Sequence, residues 1–243
     1  MINKSEFLEK AAYALTKNGL GEFAENGILD KLHALTERML AVNEYMNLTA
    51  ITDLDEVILK HYVDSLTVSK YIPNGASVID VGCGAGFPTL PLAIARPDLK
   101  ITALDSTAKR INYINETAEM LGIPNITGIA ARAEEAANEP LYREKFDVAC
   151  ARAVARLNVL AELCIPFVKV GGSFVAMKAN AAEELTEAEK GIEKLGGRLA
   201  NVDKFDITSD AGAEPRCIIS VKKIAQTPKN YPRNNSQIKK KPL

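Results

Sequence analysis

Three glycines at alternate positions follow an acid in Asp80-Val81-Gly82-Cys83-Gly84-Ala85-Gly86, with a short β-branched run, Ala76 to Val81, before them and an apolar run after them. A glycine turn between a strand and a helix lets the backbone approach a ligand closely at the carboxyl end of a sheet strand. The spacing selects the ligand. A dinucleotide fold has G-x-G-x-x-G and seats a pyrophosphate on the helix N-terminus, whereas here the spacing is G-x-G-x-G with an acid two residues upstream. Asp105, 23 residues past Gly82, ends the next strand-like run, where a carboxylate can accept from both hydroxyls of a ribose. Arg152 leaves a further such run in Cys150-Ala151-Arg152-Ala153, and an arginine at the carboxyl end of a core strand points into the crevice more often than into solvent.

The loop resembles the first motif of class I S-adenosylmethionine-dependent methyltransferases. The resemblance implies a ligand with an ammonium, a cationic sulfonium and no phosphate, which suits an acid beside the loop. Asp80 is expected to organise the loop and the amino-acid end of this cofactor, with Gly82, Gly84 and Gly86 letting the backbone pass close to it. Asp105 would hold the ribose, Ala133 and Glu134 would lie against the adenine, and Arg152 would face the transferred methyl. No N/D-P-P-Y/F sequence, usual in enzymes that methylate exocyclic base amines, follows the fourth strand. Methylation of a base carbon needs a cysteine nucleophile; Cys150 lies within an apolar run with no proline before it, so it is expected to be a packing thiol.

These residues need elements to carry them. From residue 75 onward, strand-like runs at Ala76 to Val81, Ile101 to Leu104, Ile126 to Ala130, Phe146 to Ala151, Ser173 to Lys178 and Arg216 to Val221 alternate with helical ones. The helices are expected at Pro88 to Arg96, Ala108 to Leu121, Leu157 to Val168 and Ala181 to Leu195. This predicts an α/β, Rossmann-like fold: a mostly parallel sheet with helices on both faces. The first seventy residues read as helix. Ile28, Leu32, Leu35, Met39, Val42 and Met46 recur every three or four positions, one apolar stripe, and Lys4 to Thr16 makes an earlier helix ended by Asn18-Gly19. The expected organisation is a helical extension, 1–70, packed on a methyltransferase core, 71–223, with a basic tail, 224–243.

At 47% hydrophobic and 25% charged residues, the 243-residue chain is globular rather than disordered. The longest stretch without a charge, Val81 to Ala95, is 15 residues, below the ~18 of a membrane span. Charges of both signs near the amino terminus argue against a signal peptide, so a cytoplasmic protein is expected. Four scattered cysteines and two histidines suggest neither a disulfide framework nor a metal site. The net charge of -1 is uneven: seven Lys or Arg and no acid lie between Lys222 and Leu243, leaving -8 on the first 221 residues. Such a tail is either an arm for a polyanion or a solvated terminus.

The pattern as a whole resembles the RsmG (GidB) family, bacterial guanine-N7 methyltransferases of 16S ribosomal RNA. The resemblance rests on Asn47-Leu48-Thr49, His61 with Asp64-Ser65-Leu66, the glycine loop through Phe87-Pro88, Asp105-Ser106 with Lys109-Arg110, Arg132-Ala133-Glu134, Ala151-Arg152-Ala153, Lys178, and Tyr231-Pro232-Arg233. It implies cofactor contacts at Gly82, Phe87, Ala133, Glu134 and Arg152, and 16S RNA or the small ribosomal subunit as partner. Thr89, Ala179 and the Asn235, Ser236, Ile238 stretch depart from the family's usual residues, and the last of these could loosen the tail.

Guanine N7 has an in-plane lone pair and no proton, so no general base is required and the load falls on proximity and orientation. Arg152 would orient the base. Lys109 and Arg110, opening a helix against its dipole, would either meet an RNA phosphate or the cofactor carboxylate or stand as a solvated pair, and Arg233, Lys239, Lys240 and Lys241 would meet phosphates. His61 and Asp64 share a helix face and are expected in packing between the helical extension and the core, the alternative being that with Ser65 they reach the crevice. A small-molecule methyltransferase with the same cofactor site, or a non-catalytic RNA-binding protein of this fold, would share many of these features.

Overall fold

In a computed structural model describing residues 2–25, 27–180 and 182–243, seven strands form one sheet in the order β3-β2-β1-β4-β5-β7-β6. They are β1 (Ser77–Val81), β2 (Lys100–Asp105), β3 (Ile126–Ala130), β4 (Phe146–Arg152), β5 (Val168–Lys178), β6 (Gly197–Thr208) and β7 (Ala213–Lys223). The first five run parallel, and β7 lies antiparallel between β5 and β6. The strand order reverses between β1 and β4, and at such a switch the ligand crevice opens outside the carboxyl ends.

Alternation along the strands divides the core into two layers. Val78, Val148, Cys150 and Val175 face one way, against α1 (Lys4–Lys17), α2 (Ile28–Met46), α5 (Thr89–Ala95) and α6 (Ala108–Met120) through Phe7, Leu32, Leu90 and Ile114. Ile79, Ala149, Ala151 and Phe174 face the other way, against α8 (Leu157–Cys164) and α9 (Ala182–Lys194) through Leu160 and Ile192. The amino-terminal helices thus share one continuous core with the sheet. The stripe expected on α2 is its buried side, with Leu32, Leu35, Met39 and Val42 sealed, and the helix stops at Asn47, which takes the left-handed conformation that asparagine tolerates.

Between α2 and β1 the chain makes one helical run: α3 (Leu54–Glu56), a π-helical stretch (Val57–Val63), α4 (Asp64–Leu66) and a 3-10 turn (Thr67–Tyr71). Behind the crevice, α7 (Ala133–Ala136) follows β3. Three elements differ from expectation. β6 was not anticipated, because a bulge between Leu199 and Asn201 breaks its alternation and half of its residues are exposed at the sheet edge. The helix expected to reach Val168 ends at Cys164, since Pro166 cannot continue it, and Val168 already belongs to β5. The tail is docked rather than loose: Tyr231 and Ile238 are buried against α8 and α9, Arg143 donates to the carbonyls of Thr227 and Tyr231, and Asn234 caps α10 (Asn235–Lys240).

Candidate active site

A crevice of about 1070 Å³ lies at the carboxyl ends of β1, β2, β3, β4 and β5, closed on one side by the helical run before β1. Gly82, Gly84, Phe87, Asp105, Ala133, Glu134 and Arg152 line it, as does Arg110. The remaining expected site residues lie elsewhere. Asp80 is sealed under the loop, 1% exposed, with its Oδ2 accepting from Thr89 Oγ1 at 2.6 Å. Gly86 packs the loop onto α5, where an added Cβ would fall 2.6 Å from Leu90 Cδ1. Lys109 is exposed outside the crevice. Arg233, expected at a phosphate, pairs with the fully buried Glu162, and Lys239, Lys240 and Lys241 lie on the docked tail.

The loop's amides explain which ligand fits. Gly82 and Cys83 N–H both donate to Leu104 O, Gly86 N–H donates to Cys83 O, and Gly84 N–H donates to Asp105 Oδ2. With these donors turned into the protein, the loop has no cradle for a pyrophosphate. It offers a bare backbone instead: Gly82, Gly84 and Gly86 have φ of 78°, 56° and 88°, and a Cβ on Gly84 would meet nothing nearer than Gly82 O at 3.9 Å. Asp105 braces the loop and also accepts from Thr107 N–H and Arg110, which leaves acceptor capacity for a hydroxyl. Buried Glu134 adds a second carboxylate to the wall. A ligand with hydroxyls and cationic groups but no phosphate, as S-adenosylmethionine is, fits these residues.

The opposite wall comes from the helical run and β7. Asp64 Oδ2 accepts from Arg152 Nη1 and Asp64 Oδ1 from Arg216 Nε, both at 2.8 Å, and Arg152 Nη1 also donates to Lys60 O at 2.7 Å. Glu214 joins Arg216 to Lys60, at 3.1 and 3.2 Å. One carboxylate therefore fixes two guanidinium groups on the crevice wall, and Arg152 keeps its Nε and Nη2 donors. His61 stacks on Phe87 with centroids 4.2 Å apart and planes 9° apart, and Arg152 lies over the same ring at 5.7 Å. Burial, reinforced by the Arg152 charge, pushes the His61 pKa down to about 4, so the ring is neutral at pH 7. Thr49 Oγ1, 3.0 Å from His61 Nε2, is itself held by Asn43 through the Thr49 backbone.

His61 and Asp64 thus do more than pack the extension on the core, for both line the crevice. Lys60, Glu214 and Arg216 were not singled out by sequence reasoning. Arg216 carried no local signal, since it lies 152 positions from the Asp64 it binds. Lys60 and His61 lie in the π-helical stretch and Asp64 follows it, and all three line the crevice; π-helical turns often occur at functional sites.

Burial raises the Asp80 pKa to about 6 despite the Thr89 hydrogen bond, so the folded chain favours the protonated carboxyl. The stabilising contribution of this group is full below the unfolded value near 3.8 and is lost as pH rises through about 6. Asp80→Asn, which never ionises, is expected to gain about 1–3 kcal/mol over the parent in ligand-free urea unfolding at pH 8 and nothing at pH 4. An equal effect at both pH values would contradict a buried charge at this position.

Among the described residues no helix is long and apolar enough to cross a membrane, and no group of three or more His, Cys, Asp or Glu could hold a metal ion. Of solved structures, the fold is similar to TYW2 from M. jannaschii in complex with AdoMet, with a TM-score of 0.52 and 17% identity over 66% of this chain and 77% of that one. It is also similar to a SAM-dependent O-methyltransferase from Thermotoga maritima, with a TM-score of 0.51 and 15% identity over 80% of this chain and 72% of that one. At such identities the likeness is one of fold. The sequence is 44% identical to the ribosomal RNA small subunit methyltransferase G of Acetivibrio thermocellus over 93% of each chain. It is 48% identical to that of Brevibacillus brevis over 83% of this chain and 85% of the relative. The family model described as rRNA small subunit methyltransferase G, GidB, matches residues 28–210, and the chain belongs to that family.

Proposed function

We propose that this protein transfers a methyl group from S-adenosylmethionine to N7 of a guanine in 16S ribosomal RNA. The observation that carries the choice of atom is the wall around Arg152, where the imidazole and carboxylate that could act as a base are engaged as orienting groups. His61 is neutral but its Nε2 faces the Thr49 hydroxyl, Asp64 is engaged at both oxygens by Arg152 and Arg216, and burial holds the Cys150 thiol well above its ordinary range. A target that must first lose a proton is poorly served by such a site. Guanine N7, with a lone pair and no proton, needs none.

S-adenosylmethionine, when bound, supplies an electrophilic methyl on a sulfonium that departs as a neutral thioether. The chain's part is to bind and to align. Gly82 and Gly84 give backbone close approach, and Asp105 and Glu134 accept from hydroxyl and amine groups. Arg152, fixed by Asp64 and Lys60 O, directs its remaining donors at the base. Holding two reactants in line lowers the barrier without proton transfer. The N7 edge is buried in the deep groove of an A-form helix, so the target is a loop or splayed base. Family membership and the exposed Lys239, Lys240 and Lys241 support ribosomal RNA over a small molecule, and a cytoplasmic location goes with that substrate.

The experiment is transfer of labelled methyl to 16S RNA and to small subunits from a strain lacking the gene, followed by digestion to nucleosides. Label in 7-methylguanosine is expected; label in an exocyclic amine, a ring carbon or no nucleoside overturns the reading. In single turnover the rate should be flat from about pH 7 to 8.5, because His61 titrates near 4 and Asp80 near 6. A rising limb in that window would mean that a base acts.

A further inference from the structure

Away from the crevice, a depression of about 330 Å³ lies between α9 and the tail. Lys190, Lys194, Arg233 and Lys241 line it, with Tyr231, Pro242 and Leu243 among its apolar wall, and no Asp or Glu side chain does. The cations differ in how they are compensated. Arg233 is paired with Glu162, and Lys194 lies over the Tyr231 ring at 5.6 Å. Lys190 and Lys241 have no ion-pair partner among the described residues, and both are exposed. Lys190 and Lys194 stand four apart on α9, a spacing that sets like charges side by side and disfavours the helix unless an anion lies between them. Two acids of α9 are drawn elsewhere, Glu184 to Lys178 and Glu187 to Arg156.

The depression is built by direct packing of the tail on the helix. A Cβ on Gly191 would lie 2.8 Å from Leu243 Cβ and 3.2 Å from Leu243 backbone atoms, so glycine lets the tail close on α9 and brings Lys241 beside Lys190 and Lys194. The same tail touches the crevice, for Asn235 at the start of α10 lines it. Six helical residues, about 9 Å of rise, therefore connect the two sites past the exposed Lys239 and Lys240.

We propose that the Lys190, Lys194 and Lys241 depression binds a backbone phosphate of the RNA strand whose target base occupies the crevice. The inference rests on the RNA reading above and adds a second site to it. A base held in the crevice forces its strand out over the rim, and the rim at Asn235 leads to these lysines. Ammonium groups on flexible stems suit phosphate contacts that set the strand's path without reading sequence.

The test compares binding of deproteinised 16S RNA at several salt concentrations by the parent, by a Lys190→Gln, Lys194→Gln, Lys241→Gln variant and by the corresponding triple Arg variant, with calorimetry of S-adenosylmethionine. At about 0.7 per neutralised phosphate on a single strand, the Gln variant should lose about 0.7 units of the slope of log K against log salt. A fourfold rise in salt then costs it about 2.6-fold less affinity than it costs the parent. The Arg variant should keep the parent's slope, and cofactor affinity should be equal in all three. An unchanged slope in the Gln variant overturns the proposal while leaving the function intact. Loss of binding to assembled subunits alone, with naked RNA unaffected, assigns the depression to an acidic protein segment and also overturns it. Failure of the parent itself to bind RNA removes the RNA reading and this inference with it.

Discussion

Gly84→Val is expected to abolish S-adenosylmethionine binding in a protein that still unfolds cooperatively. The three loop glycines are not equivalent. At Gly86 an added Cβ falls 2.6 Å from Leu90 Cδ1, and at Gly82 it falls 2.8 Å from Val154 Cγ2, so substitution at either strikes the fold first. At Gly84 the nearest atom is 3.9 Å away and the residue lines the crevice, so a valine meets the ligand's space rather than protein. The left-handed backbone, φ 56°, adds a cost of about 1–2 kcal/mol for a residue with a Cβ, which a domain of ordinary stability survives. Affinity should fall at least about 100-fold, or roughly 3 kcal/mol, by calorimetry, while the urea transition stays single and steep. A folded variant that binds as the parent does would show that the cofactor does not pass this loop.

The loop was legible in the sequence because its meaning is local: strand, glycines at alternate positions, helix. So were Asp105, Glu134 and Arg152, each at the carboxyl end of a recognisable strand and each on the crevice wall. Residues that act through partners far along the chain were not. Asp64 looked like a packing residue, since nothing near it in sequence announces Arg152 and Arg216, 88 and 152 positions away. At Asp80 the motif is plain in the sequence and the direction it faces is not. Its position in the motif is right, but strand alternation turns it from the crevice toward the layer that holds Val78 and Cys150, where Thr89 meets it. Thr89, in sequence only a departure from the family's pattern, is thereby the partner of a buried acid. Charge counting misled at the tail, because it cannot separate a cation facing solvent from one facing a buried acid. Lys223 is 2% exposed and held by Glu144, Thr227 and Ile165 O.

Arg233→Ala is expected to cost about 3–5 kcal/mol of stability, the penalty for leaving a buried charge without its partner. Glu162 is 0% exposed on α8 and accepts from Arg233 three times, at 2.8 Å from the backbone N–H, 2.9 Å from Nε and 2.5 Å from Nη2. The pair ties the tail to the core at the point where Tyr231 enters the layer beneath α8. Two comparisons separate this from a phosphate contact. Lys239→Gln and Lys240→Gln, exposed and unpaired, should change stability by less than about 0.5 kcal/mol. Glu162→Leu combined with Arg233→Met, which removes both charges and fills the space with apolar atoms, should recover most of what the single change lost. If Arg233 instead met RNA directly, its removal would leave urea unfolding nearly unchanged and flatten the salt dependence of RNA binding by about 0.7. A charge already matched by Glu162 releases few counterions, so the salt slope is expected to stay put while the unfolding midpoint falls. The tail's one arginine is then what holds Lys241 against α9.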